Sequence, residues 1–161
     1  MKIVTIGVYG FTERRFFHAL KQGAVDTFCD IRARRAVRGR DYSFANSQRL
    51  QTHLAQLGIR YLHWPDLAPS QKLRQLQAVA DREEHVARRK RTHLSQEFIR
   101  GYEQECLTTF RSREFIARLG PAAKIAALFC VEREPSACHR SLVAERLRED
   151  LGLEVVHLIP E

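Results

Sequence analysis

Six side chains that can do chemistry fall within twelve positions: Cys130, Glu132, Cys138, His139, Arg140 and Ser141. Cys138 stands near the start of a predicted helix, with His139 and Arg140 directly after it. Helix-terminal N–H groups and adjacent positive charge both favour a thiolate over a thiol, so Cys138 is a candidate nucleophile. The plainer reading is a small buried hydrophobe, the usual role of a free cysteine. Glu132 supplies a carboxylate for acid–base work. Arg140 and His139 supply cationic groups for an anion. Cys130 lies within a predicted strand and reads as packing. Zinc is the other chemistry that thiols and an imidazole suggest. Cys130, Cys138 and His139 lack paired CxxC or HxxxH spacing, and the sequence neighbours Cys138 and His139 are not expected to face one ion, so no metal is predicted. No arginine stands six positions after Cys130 or Cys138, which removes a Cys-x5-Arg phosphatase loop. Ser141 has no GxSxG frame.

A second group gathers after Asp30. Arg32 opens an arginine-rich loop that continues through Arg34, Arg35, Arg38 and Arg40 around Gly39. A guanidinium fork suits phosphate or carboxylate, which makes Arg32 a second candidate anion holder; the alternative is a salt bridge to Asp30 or Glu132. Asp30 and Glu132 both leave strand ends. Paired carboxylates divide acid and base roles when their pKa values separate, or else each orients an arginine. His63 ends a third strand on the same edge and is a further acid or base candidate. The basic run Arg88-Arg89-Lys90-Arg91 reads as a solvated helix face. Cys29 and Cys106 sit in apolar patterns and read as core. Gly7 and Gly10 follow the first strand without the third glycine of GxGxxG, so no dinucleotide and no other cofactor is expected.

Strands and helices in alternation must position these groups. Ile3–Val8, Val25–Ile31, Ile59–His63, Lys124–Val131 and Leu153–Ile159 are short β-branched or apolar runs that predict five strands. Thr12 caps a helix to about Gln22 with Phe16, Phe17 and Leu20 inward, and Asn46 or Ser47 starts another that turns Leu50 and Leu54 inward. Residues 68–119 show helical patterns and no clear strand. The expected fold is therefore α/β: a mainly parallel five-stranded sheet in a single domain over residues 1–161, helices on both faces, and a helical insertion between strands three and four. Open sheets of this kind bind ligands at the carboxyl ends of their strands, where Asp30, Arg32, Glu132 and Cys138 to Arg140 would meet.

The run LFCVEREPSACHRSLVAERL resembles the C-terminal signature of the family catalogued as domain of unknown function 488, in which an apolar strand ends in Cys-x-Glu and Cys-His-Arg opens the next helix. Thr5-Ile6-Gly7, Cys29-Asp30-Ile31-Arg32 and Gly58-Ile59-Arg60-Tyr61-Leu62-His63 match its N-terminal features. Relatives often carry a Pro-rich Ser turn after Asp-x-Arg and a Leu-Gly-Gly after the third strand; this chain has Ala33-Arg34-Arg35 and Leu67-Ala68-Pro69. The resemblance implies a family and no particular reaction.

A net charge of +8 and a pI near 9.8 suit a phosphate-bearing or other anionic ligand, nucleic acid included. No apolar run approaches the ~18 residues of a membrane helix, and no signal peptide is recognisable, so a cytoplasmic protein with reduced thiols is expected. Two functions fit. One is an enzyme acting on a phosphate-bearing small molecule, nucleotide or nucleic-acid end. The other is a non-catalytic nucleic-acid-binding accessory domain.

Overall fold

The computed structural model describes residues 1–161. Its strands are β1 (Lys2–Ile6), β2 (Thr27–Asp30), β3 (Arg60–His63), β4 (Ile125–Phe129) and β5 (Glu154–Leu158). They form one sheet in the order β3-β2-β4-β1-β5, with every pairing parallel. The helices are α1 (Glu13–Gln22), α2 (Ser47–Gln56), α3 (Gln71–Glu83), α4 (Gln96–Tyr102), α5 (Ser112–Leu119) and α6 (His139–Leu151). α3, α4 and α5 lie between β3 and β4, as the helical insertion expected there.

A strand turns successive side chains to opposite faces, so a sheet buried on both sides needs apolar residues at every position. Val4, Ile6, Phe28, Ala127 and Phe129 pack with Phe16, Phe17 and Leu20 of α1 and with Leu50 and Leu54 of α2. Their strand neighbours Ile3, Cys29, Ala126 and Leu128 pack on the other face, with Leu73 of α3, Phe98 and Tyr102 of α4, Leu119 of α5, and Val143 and Leu147 of α6. Thr12 caps α1 as expected, accepting from the Arg15 amide at 3.3 Å, and Ser70 caps α3 in the same way, accepting from the Leu73 amide at 3.3 Å.

The strand order positions the site. β4 lies between β1 and β2, so α1 carries the chain past β4 rather than to an adjacent strand. β2 leads on to α2 on one face of the sheet, and β4 leads on to α6 on the other. The chain leaves the carboxyl ends of these neighbouring strands in opposite directions, which opens a crevice between them. Gly7 helps to set its depth. A Cβ there would lie 1.9 Å from the Glu132 carbonyl oxygen, so only glycine allows β1 to end this close to the loop after β4. No helix is long and apolar enough to cross a membrane.

Candidate active site

Two cysteines and a histidine form the floor of the crevice. Cys130 follows β4 directly, and Cys138 is the residue that caps α6. The Nδ1 atom of His139 lies 3.8 Å from the Cys130 sulfur and 3.8 Å from the Cys138 sulfur. The opposite ring nitrogen, Nε2, is 3.1 Å from the carbonyl oxygen of Ile31, just past β2. A carbonyl only accepts, so Nε2 carries a proton and Nδ1 is the atom presented to the sulfurs. All three side chains are buried, yet all three line the same cavity.

Charge separates the two thiols. Burial alone pushes Cys138 up, but a hydrogen bond from Cys130 and the charges of His139 and Arg140 outweigh it and hold the thiol well below its usual range. Cys130 moves the other way: its hydrogen bond to Cys138, then burial, then the charges of Cys138 and Glu132 raise it. Burial would lower His139, but the adjacent Cys138 thiolate raises it on balance. These shifts favour an imidazolium beside a Cys138 thiolate and keep Cys130 as a neutral thiol, whose S–H donates to Glu132 Oε2 at 3.7 Å.

Glu132 is buried beside this floor. Its Oε2 lies 3.7 Å from the Cys130 sulfur, and its Oε1 accepts from Arg88 Nε at 3.2 Å and Arg91 Nη2 at 3.0 Å. Burial first, then the Cys138 charge, raises its pKa, with Arg91 and Arg88 opposing. Arg91 also donates to Asp81 at 2.9 Å and to the Ala137 carbonyl. Arg88 to Lys90 form a short 3-10 turn and are exposed, so the run is solvated as its composition predicts, but it is not a long helix face and its last residue, Arg91, turns inward. Its partners Asp81 and Glu132 are distant in sequence and left no local signal.

The cavity above the floor has a volume of about 760 Å³. Arg34, Arg38, Arg74, Arg88, Arg89 and Arg91 reach it, against the acids Asp81 and Glu132. Arg34, Arg38 and Arg74 make no ion pair. Arg89 lies over Tyr9 and Tyr42, 5.0 and 5.3 Å from the ring centroids, and donates one bond to the Arg38 carbonyl at 3.0 Å.

The other expected site residues hold this frame together. Arg32 donates to Asp30 from Nε at 2.9 Å and Nη2 at 2.8 Å, and to the Ala45 carbonyl at 3.0 Å. It stacks over Phe129 at 4.6 Å. Asp30 also accepts from the Arg32 amide and from the Tyr61 hydroxyl, 2.7 Å away. Arg32 touches the cavity with its guanidinium already engaged, and Asp30 does not line it. The salt-bridge alternative for Arg32 is the one observed. Arg140 does not line the cavity either. Fully buried, it donates to the carbonyls of Glu132 at 2.7 Å and Arg133 at 3.1 Å, fixing the turn between β4 and α6. The expectation that Arg140 and Arg32 grip an anion is corrected on these contacts: neither offers a free fork. His63 belongs to the same frame, its Nε2 donating to the Arg32 carbonyl at 2.9 Å.

A family model described as Domain of unknown function DUF488 matches residues 12–147, which takes in α1, the Asp30–Arg32 pair, the cavity lining except Tyr9, and the Cys130–Arg140 floor. The chain belongs to the DUF488 family. No curated protein and no solved structure matches it. In this DUF488 chain the reason for expecting no metal also changes. Cys130, Cys138 and His139 bring their donor atoms within 4.8 Å of one another, so sequence adjacency does not keep Cys138 and His139 apart. These are the three groups that would face a thiophilic ion. The charge of the cavity as a whole favours an anion, because seven arginines line it against two acids.

Proposed function

We propose that the protein is an enzyme that acts on a phosphate-bearing small molecule, nucleotide or nucleic-acid end through the Cys138 thiolate. The observation that carries this reading is the pairing of Cys138 with His139 on the floor of an arginine-lined cavity. An activated nucleophile needs a base or cation within reach and a third group to orient that partner; His139 and the Ile31 carbonyl fill these roles. Arg34, Arg38, Arg74 and Arg89 are the groups with donors left for a phosphate. Glu132 is the nearby carboxylate, and burial raises its pKa above the ordinary carboxylate value, which suits it to acid–base work. Asp30 serves by holding Arg32 and the end of β2.

In this reading the Cys138 sulfur forms a bond to the electrophilic centre of the substrate. The leaving group departs with the Nδ1 proton of His139. Water then displaces the sulfur, giving one proton back to His139 and restoring the thiolate. No backbone cradle of the Cys-x5-Arg kind surrounds the sulfur, so the phosphate is the handle for binding and the electrophile lies beside it.

The test is a panel of phosphate-bearing compounds incubated with wild type and Cys138→Ser, read by product formation and by intact mass for a covalent adduct. Turnover by wild type, an adduct on Cys138 and loss of both in Cys138→Ser are expected. Turnover that persists in Cys138→Ser, or nucleic-acid binding with no turnover and no dependence on Cys138 or Glu132, would sink the enzyme reading and leave an accessory nucleic-acid-binding domain.

A further inference from the structure

The nucleophile reading uses Cys130 only as a neighbour that favours the Cys138 thiolate. It is a strand-end residue from an apolar run, and the sequence makes it packing. The structure gives it three polar neighbours: the Cys138 sulfur, His139 Nδ1 at 3.8 Å and Glu132 Oε2 at 3.7 Å. We infer that Cys130 is the resolving thiol of a reversible redox site, forming an internal disulfide with Cys138 when a hydroperoxide oxidises it. This rests on the reading of Cys138 as a thiolate.

Geometry and partition of roles both support it. A thiolate reacts with peroxides, and the neighbouring thiol decides whether the product stops at a disulfide or runs on to irreversible acids. The two sulfurs lie within 4.8 Å of each other, one leaving a strand and the other capping the helix that follows. An S–S bond of about 2.05 Å requires them to close the remaining gap, and the eight-position separation of Cys130 and Cys138 is carried by the short turn around Pro135 rather than by a regular element. Cys29 and Cys106 have no such partner. Cys106 donates to the Ala68 carbonyl at 3.7 Å, and Cys29 is enclosed on the sheet.

The chemistry balances in two steps. The Cys138 thiolate attacks the terminal oxygen of a hydroperoxide; an S–O bond forms, the O–O bond breaks, and the alkoxide or hydroxide that leaves takes a proton from solvent. Cys138 is then a sulfenic acid, oxidised by two electrons. Next, Cys130 gives its proton to the Glu132 carboxylate and its sulfur attacks the Cys138 sulfur. The S–S bond forms as the S–O bond breaks, and hydroxide leaves as water with the Nδ1 proton of His139. A small dithiol reverses the change by two thiol–disulfide exchanges, returning both electrons. While the disulfide stands, Cys138 has no thiolate and the proposed catalytic step is off.

The experiment treats reduced, purified protein with hydrogen peroxide and maps the peptides by mass spectrometry under non-reducing conditions. The expected result is a loss of two hydrogens, located to a link between Cys130 and Cys138 and reversed by dithiothreitol. In Cys130→Ser, a dimedone adduct should appear at Cys138 instead, followed by sulfinic acid. Iodoacetamide labelling of untreated wild type separates the two readings. Rapid labelling of Cys138 with no Cys130–Cys138 link after peroxide overturns this inference alone. No labelling and no oxidation at Cys138 removes the nucleophile reading with it. A stoichiometric metal that blocks both reactions until it is chelated also overturns the inference. The wild-type map needs no variant, so a poorly folding Cys130→Ser does not spare it.

Discussion

A buried thiolate has to be held against desolvation, and the residues around Cys138 show how. Cys130 lies beside it, and the charges of His139 and Arg140 favour the thiolate over the thiol. The sign of the pH dependence follows. Alkylation rate tracks the thiolate fraction, and that fraction falls only as pH drops through the folded pKa. Because this pKa is lowered, Cys138 should lose much less of its labelling rate between pH about 8.5 and about 6.5 than the roughly 50-fold that an unperturbed thiol loses. Cys29, pushed up to about 12 by burial, and Cys106, pushed up to about 11, should stay unlabelled throughout. Iodoacetate, being anionic, should gain on iodoacetamide at Cys138 relative to a free cysteine, because the cavity is cationic. A Cys138 rate that falls tenfold per pH unit across this range removes the thiolate. At this scale the sequence was a fair guide to residue types and a poor one to partners. His139 next to Cys138 was visible, but the Ile31 carbonyl that orients its ring comes from across the sheet. Arg140 looked like an anion holder because nothing local showed that it would be buried against two carbonyls.

Elements were read more easily, because their signals are local. Five apolar runs became five strands, and Thr12 and Ser70 capped the helices they precede. The helical insertion was legible from the absence of any strand pattern between the third and fourth strands. Two things were not. The place of β4 between β1 and β2 is a long-range pairing that no periodicity encodes. The turn at Arg88–Lys90 has the composition of a helix face but ends against Glu132 and Asp81. The turn from β4 to α6 carries the element-scale prediction. Gly7 and Arg140 both hold it, one by yielding space to the Glu132 carbonyl and the other by donating to it. Gly7→Ala should push that turn away at a cost of about 3 kcal/mol, since the clash is with backbone that cannot rotate aside. Denaturant unfolding would show it as a lower midpoint, and Cys138 labelling should slow as the turn moves. An unchanged midpoint would mean that β1 and the turn separate freely.

For the whole molecule, the question is what its net charge of +8 is for. Spread evenly, it would aid solubility and attract any polyanion without preference. The structure concentrates part of it: Arg34, Arg38 and Arg74 reach one cavity without acidic partners, whereas Arg32 and Arg91 are neutralised by Asp30, Asp81 and Glu132. A small phosphate-bearing ligand held there should protect Cys138, because the sulfur is on the cavity floor. Pyrophosphate is a simple probe. It should slow Cys138 alkylation in a saturable way, and replacing Arg34, Arg38 and Arg74 together by Ala should weaken the protection by at least about tenfold, each lost charge-assisted contact contributing about 1 kcal/mol. These side chains support no packed core, so the triple variant should unfold at the same denaturant concentration as wild type. An extended nucleic acid would behave differently. Its binding would spread over the outer surface, weaken steeply with salt as many counterions are released, and leave Cys138 open to reagent. Strong salt-sensitive binding to single-stranded DNA or RNA, with Cys138 labelling unchanged, would place the charge outside the cavity and turn the arginines into a surface grip. Protection by pyrophosphate that survives the triple substitution would show that the anion sits elsewhere, and the cavity would lose its claim to be the substrate site.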